Sequence, residues 1–295
     1  MLPVKRLAAA VMLAVPATAA LAHAGHEHRP APGWEFDPLV VVPLMLALHV
    51  FAVGQWRLRK RSKISRRRSW LFLGGWAVLA LSLVSPLHQG GERSFTLHMI
   101  EHELIMLVAT LLLAASAAGG ILAWGLPATL RRALGGSWKA PLAALWRTLT
   151  EPITATIVQG IVLWAWHAPA LFDRALDSAA WHAAQHLSFV AASLLFWVAM
   201  LDHRRGGYLL SAACLFLTSL IEGALGALMS LSQSPWYSAY AAMGVSGIGL
   251  DPTTDQQLAG LIMWIPGGLV HGAAALALLY RWLSTSEKAD ALRAS

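Results

Sequence analysis

Apolar residues run in seven stretches long enough to cross a bilayer, at approximately 39–56, 70–86, 98–124, 152–172, 181–201, 208–231 and 257–283. A spanning helix needs about 20 largely apolar residues, with tilt and breaks absorbing the difference. The pattern predicts an all-α polytopic membrane bundle of seven transmembrane helices over 39–284, with no soluble second domain. Before it, Lys5 and Arg6 precede an apolar run from Leu7 to Ala20, and Ala22-His23-Ala24 supplies small residues at a cleavage site. That reads as a signal peptide, 1–24, removed from the mature chain. A periplasmic tail, 25–38, then carries His26-Glu27-His28, a short tract able to capture a metal ion.

Composition agrees with a membrane class. Residues are 57% hydrophobic and 13% charged, against about 25% charged in soluble domains. A single cysteine, Cys214, excludes an internal disulfide and a multi-thiolate metal site. The net charge of +7 invites a nucleic-acid reading, but eight Lys and Arg lie between Arg57 and Arg68 with no aromatic among them. Such a juxtamembrane block is a topology signal and a surface for anionic membrane lipid, not a stacking platform. With the tail outside, alternate loops and the chain after 280, which ends in the cytoplasmic tail (285–295), hold 17 Lys and Arg against three on the outer side of the mature chain. Positive charge marks the cytoplasmic side, so the C-terminus is expected inside a bacterial inner membrane.

Twelve histidines need a reason in such a chain, since ionisable groups are costly in hydrocarbon and are functional candidates by default. His98 and His102 open the third segment, His182 and His186 open the fifth, and His167 ends the fourth. The topology sets all five just inside the outer interface. Both pairs are spaced i,i+4, on one helix face and about 6 Å apart along it. Met106 extends the first face by four more residues. Imidazole suits copper and zinc, and thioether suits Cu(I), so these six residues are the expected metal ligands. Met99 points elsewhere on an ideal helix. His88 and His203 lie in loops and read as packing residues. His49, Glu222 and His271 fall near mid-membrane, as an inner polar site, a proton path, or pairs that lower one another's burial cost. Pro266-Gly267-Gly268 is expected to kink the helix beside His271 and expose carbonyls to a cavity.

The stretch His98-Met99-Ile100-Glu101-His102 also fits the inverted zinc-protease pattern H-x-x-E-H. Its apolar setting argues against catalysis, so no enzyme activity is expected, and Glu101 reads as a carboxylate supporting a ring N–H or pairing with Arg93.

Several motifs in order resemble a known family. They are His98-Met99 with His102; Trp166-His167-x-Pro169; Phe172-Asp173-x-x-Leu176; His182-x-x-x-His186-x-x-Phe189; and Phe196-Trp197. Leu225-Gly226-Ala227, Asp255-Gln256-Gln257-x-x-Gly260 and Met263-Trp264-Ile265-Pro266-Gly267-Gly268 follow. Over approximately 38–284 the chain resembles the multi-span CtaG family of cytochrome c oxidase assembly factors. The resemblance implies a non-catalytic membrane protein that assembles the oxidase, working with oxidase subunits or other assembly factors and plausibly handling copper. Asp173 and Asp255 join the candidate site through these motifs. Glu101 stands where the family often has Gln, and His271 is not expected from its pattern. A haem-binding electron carrier, a metal or proton transporter and a structural scaffold are the rival readings. Two stacked haems would want widely separated histidines on each helix, and here the pairs are four apart.

Overall fold

The computed structural model describes residues 32–59, 65–135 and 139–294. The expected signal peptide, the His26-Glu27-His28 tail and part of the basic block lie outside them. Everything regular among the described residues is helical.

Helix α1 (Pro38–Leu58) starts where Asp37 accepts the Leu39 N–H and Pro38 takes the first position, which has no use for an N–H. Helix α2 (Arg66–Val84) follows, then the short α3 (Pro86–Gly91). The third apolar segment is not one rod. It comprises α4 (Phe95–Glu103), a π turn (Leu104–Ala109), α5 (Thr110–Ser116) and α6 (Gly119–Gly125). Ala117, with φ of 47°, separates the last two. Two amphipathic helices, α7 (Ala128–Gly135) and α8 (Lys139–Leu149), lead to α9 (Pro152–His167). The fourth segment then turns by 71° into α10 (Pro169–Asp177). Pro169 causes this, because it lacks an N–H and drives Ala168 to extended ψ. Helix α11 (Ala179–Leu201) and α12 (His203–Leu231, broken at Gly207) come next, then α13 (Ser238–Met243) and the long α14 (Pro252–Ala294).

Five helices are long and apolar enough to cross a membrane, six if the bent α9–α10 pair counts as one span. Helix α2 falls short because Arg66, Arg67 and Arg68 occupy its first turn. Pro266 lies inside α14, which runs through Pro266-Gly267-Gly268 without a break.

Two glycine pairs set helix spacing. A Cβ on Gly54 would overlap the Ile121 carbonyl, and one on Gly125 would overlap that of Val50, so α1 and α6 meet backbone to backbone. Gly226 and Gly260 do the same for α12 and α14, where a Cβ on either would lie 2.5–2.7 Å from the other's carbonyl oxygen. Small residues permit this close approach between membrane helices. Arg57 ties the first pair further, donating to the Trp124 and Leu126 carbonyls at 2.8 Å each, where α6 ends.

Candidate metal centre

Three elements converge at one end of the bundle. Helix α4 brings His98, Glu101 and His102, α11 brings His182 and His186, and α3 brings His88. Ser85 caps α3 at Leu87 N, which holds His88 beside the other rings. Ring centroids lie 4.3 Å apart for His98–His102, 4.5 Å for His182–His186, 5.2 Å for His88–His182 and 5.3 Å for His102–His186. One nitrogen from each of His88, His182 and His186 falls within a 4.8 Å set.

Glu101 is fully buried and organises this group. Its Oε1 accepts from His88 Nδ1 at 2.7 Å and lies 3.5 Å from His186 Nε2. The second distance is ion-pair range without hydrogen-bond alignment, so His186 Nε2 stays unpartnered. Arg93 takes no part with Glu101. Burial lowers the pKa of His88, but the Glu101 hydrogen bond and charge, with Glu35 and Glu92 beyond, outweigh it and leave the pKa raised.

The donors fit a metal. Both ring nitrogens of His98 and of His102, and Nε2 of His167, His182 and His186, are buried with no hydrogen-bond partner. An unmade buried hydrogen bond costs about 1–3 kcal/mol per group, and a coordinated cation relieves one such nitrogen on each ring that binds it. His88 was read as a packing residue from its loop position, and the structure instead puts it in the centre.

The remaining sequence-predicted residues divide. His167 sits against the group, packed on Phe172 and Phe189. Its Nδ1 lies 2.8 Å from the Leu163 carbonyl, which makes it the donor and leaves Nε2 as the free acceptor. Met106 is not set out as expected. The π turn intervenes after His102 and breaks the i,i+4 column, and Met106 packs in the apolar cluster with Phe95, Met99, Leu163 and Phe189.

Asp255 and Asp173 are fasteners. Asp255 accepts from Ser94 Oγ, Phe95 N and Thr96 N at the start of α4. Asp173 accepts from Ser238 Oγ at 2.7 Å and Ser238 N at 3.3 Å. The segment between α12 and α14 folds over this end. Tyr240 donates to the Gly91 carbonyl at 2.6 Å, Tyr237 to that of His167 at 3.1 Å, and Gly247 N to that of Arg93 at 2.8 Å.

A second polar group lies deeper. His271 Nδ1 is 3.1 Å from Glu222 Oε2 and 3.0 Å from the Gly267 carbonyl, and its ring stacks on Trp197 at 5.2 Å. Glu103, at the end of α4, reaches the same place. Both carboxylates flank Gly267, where a Cβ would lie 3.1 Å from Glu222 and 3.7 Å from Glu103. Glu103 was missed in the sequence, although a carboxylate within an apolar segment is the signal that singled out Glu222. His49, expected with this group, is exposed on α1, which packs on α6 and α2 rather than on α12 or α14.

No curated protein and no solved structure matches the chain. The family model for cytochrome c oxidase caa3 assembly factors (Caa3_CtaG) matches residues 47–285. That range takes in α2 to α13 complete and most of α1 and α14, including all of the histidine centre. The chain therefore belongs to the cytochrome c oxidase caa3 assembly factor family.

Proposed function

We propose that this assembly factor holds copper at the histidine centre and passes it to the oxidase. The cluster of seven buried imidazole nitrogens without protein partners carries this reading. The copper is cargo rather than a resident catalyst. His98, His102, His182 and His186 would hold it as neutral imidazoles, with His88 and His167 at the edge of the group. Glu101 orients His88 and supplies the negative charge that neutral imidazoles cannot offer a cation. Imidazole without thiolate binds copper yet releases it, which a relay requires.

The seven-span topology with an outer N-terminus belongs to the same proposal. The charge asymmetry supports it and sets the centre at the periplasmic end of a bacterial inner membrane. The haem alternative is disfavoured because the rings of α3, α4 and α11 stack directly on one another at 5.2–5.6 Å, leaving no gap as wide as a macrocycle.

Copper-dependent melting of detergent-purified protein tests the reading. A ligand that binds only the folded state at 100 times its Kd adds about 2.7 kcal/mol. Wild type should gain stability with Cu(I) or Cu(II), while His102→Ala and His186→Ala should each lose most of the gain. The double variant should lose little more, since the ligands act as one site. Equal stabilisation of all four proteins, or of none, overturns it.

A further inference from the structure

Between α2 and α11, with α5 and α6 as its floor and α1 at its outer rim, lies an open groove of about 1040 Å³. Its walls are apolar side chains such as Phe72, Trp76, Val190 and Leu194. It runs along α11 from Ala183 to Asp202, about 28 Å at 1.5 Å per residue. That is close to the full ~30 Å hydrocarbon thickness. At one end His186, a member of the histidine centre, lines the wall. At the other end stands Arg68.

We infer that this groove is the docking site for one transmembrane helix of a partner, one that presents a metal-ligating side chain at the depth of His186. The inference rests on the copper reading, and it specifies where the recipient binds. Three observations select a helix. The groove crosses both leaflets, whereas a lipid occupies one. Its floor carries the run Ala117-Ala118-Gly119-Gly120, and a Cβ on Gly119 or Gly120 would meet nothing within 4 Å. Bare backbone of this kind lets a neighbouring helix approach closely. Among the described lining residues the only Lys or Arg is Arg68, so a lipid in the half nearer His186 has no cation for its headgroup. The centre is thereby reachable sideways from the membrane, without passage through the segment that covers its end.

A photo-crosslinking residue at Leu194, in the groove, and at Phe216, exposed on α12, tests this in membranes of cells that make the oxidase. From Leu194 the expected product is an adduct whose mapped peptide is a transmembrane segment of an oxidase subunit or assembly protein, absent from Phe216. Gly120→Leu, whose Cβ meets nothing within 4 Å, should lower that adduct severalfold and leave copper-dependent melting unchanged. Leu194 adducts only to phospholipid, only to a second copy of this chain, or indistinguishable from those at Phe216 each overturn the inference. The adduct retained in a protein that copper does not stabilise would keep the docking site and sink the copper reading instead.

Discussion

The Asp255 carboxylate accepts the Phe95 N–H at 2.7 Å, so the start of α14 caps the helix that carries His98 and His102. The first N–H groups of a helix have no partner within it, and here a buried carboxylate 160 residues away serves them. The same aspartate takes the Ser94 hydroxyl, and its backbone carbonyl takes Thr96 Oγ1. Positioning of the histidines therefore depends on a residue that contacts none of their rings.

Asp255→Ala should destabilise the protein by about 2–4 kcal/mol, because several buried donors lose a charged acceptor. Asp255→Asn, which keeps an acceptor oxygen, should cost less. Thermal unfolding in detergent reads both. If Asp255→Ala melts like wild type, the cap does not hold α4.

The Gly54–Gly125 contact predicts that either glycine resists enlargement. Gly54→Ala and Gly125→Ala should each cost about 1–3 kcal/mol as α1 and α6 are pushed apart. The double variant should cost less than the two added, since one separation relieves both. Strict additivity would show that the two glycines do not share a contact.

His88 sets opposite pH trends for the metal-free and loaded protein. Its pKa is raised in the folded state, so the His88–Glu101 pairing stabilises the fold fully below the unfolded value of about 6.5. That contribution fades as pH rises through the folded value. Copper binding runs the other way, since only neutral imidazoles coordinate. Melting of the metal-free protein should lose this increment on going alkaline, and His88→Ala should abolish it. The copper-induced gain should grow over the same range. A metal-free profile identical in wild type and His88→Ala would refute the pairing.

Topology is tested by a reporter active only in the periplasm. Fused at Gly247 it should be active, and fused at Leu134, on the arginine-bearing α7, it should be silent. The reverse pattern removes the proposed orientation and with it the periplasmic placement of the centre.

Much of the centre was legible because two i,i+4 pairs dictate a shared face on each of two helices, whatever the tertiary fold. His182, His186, His98 and His102 met as spacing implied. His88 was hidden because a short helix between two longer ones carries it in, and no periodicity over six residues can say where it points. His49 failed for a related reason: counting residues from the membrane edge gives depth but not the side of the helix, and its side is exposed. Asp173 and Asp255 lie at the right end of the bundle, but Asp255 and one oxygen of Asp173 are taken by backbone and hydroxyl donors. The helical class followed from apolar runs alone. Their interruptions at Ala117 and at Ala168 did not, because a long apolar run looks the same whether straight or broken.

The π turn at Leu104–Ala109 divides the helix into two halves of different phase. Upstream of it, residues answer to α3 and α11 through the histidines. Within it, Met106 offers its carbonyl to Trp197 Nε1 at 2.9 Å and to Thr110 Oγ1 at 2.6 Å. A π turn amounts to one residue inserted into an α-helix. The wide turn absorbs that residue, so deleting one within 104–109 would let the α-helix close up while the halves on either side keep their facing. A residue gained or lost in the regular helix above or below would instead rotate everything beyond it by about 100°. A change of one residue in length is therefore tolerated within this turn and excluded from the α-helical parts beside it.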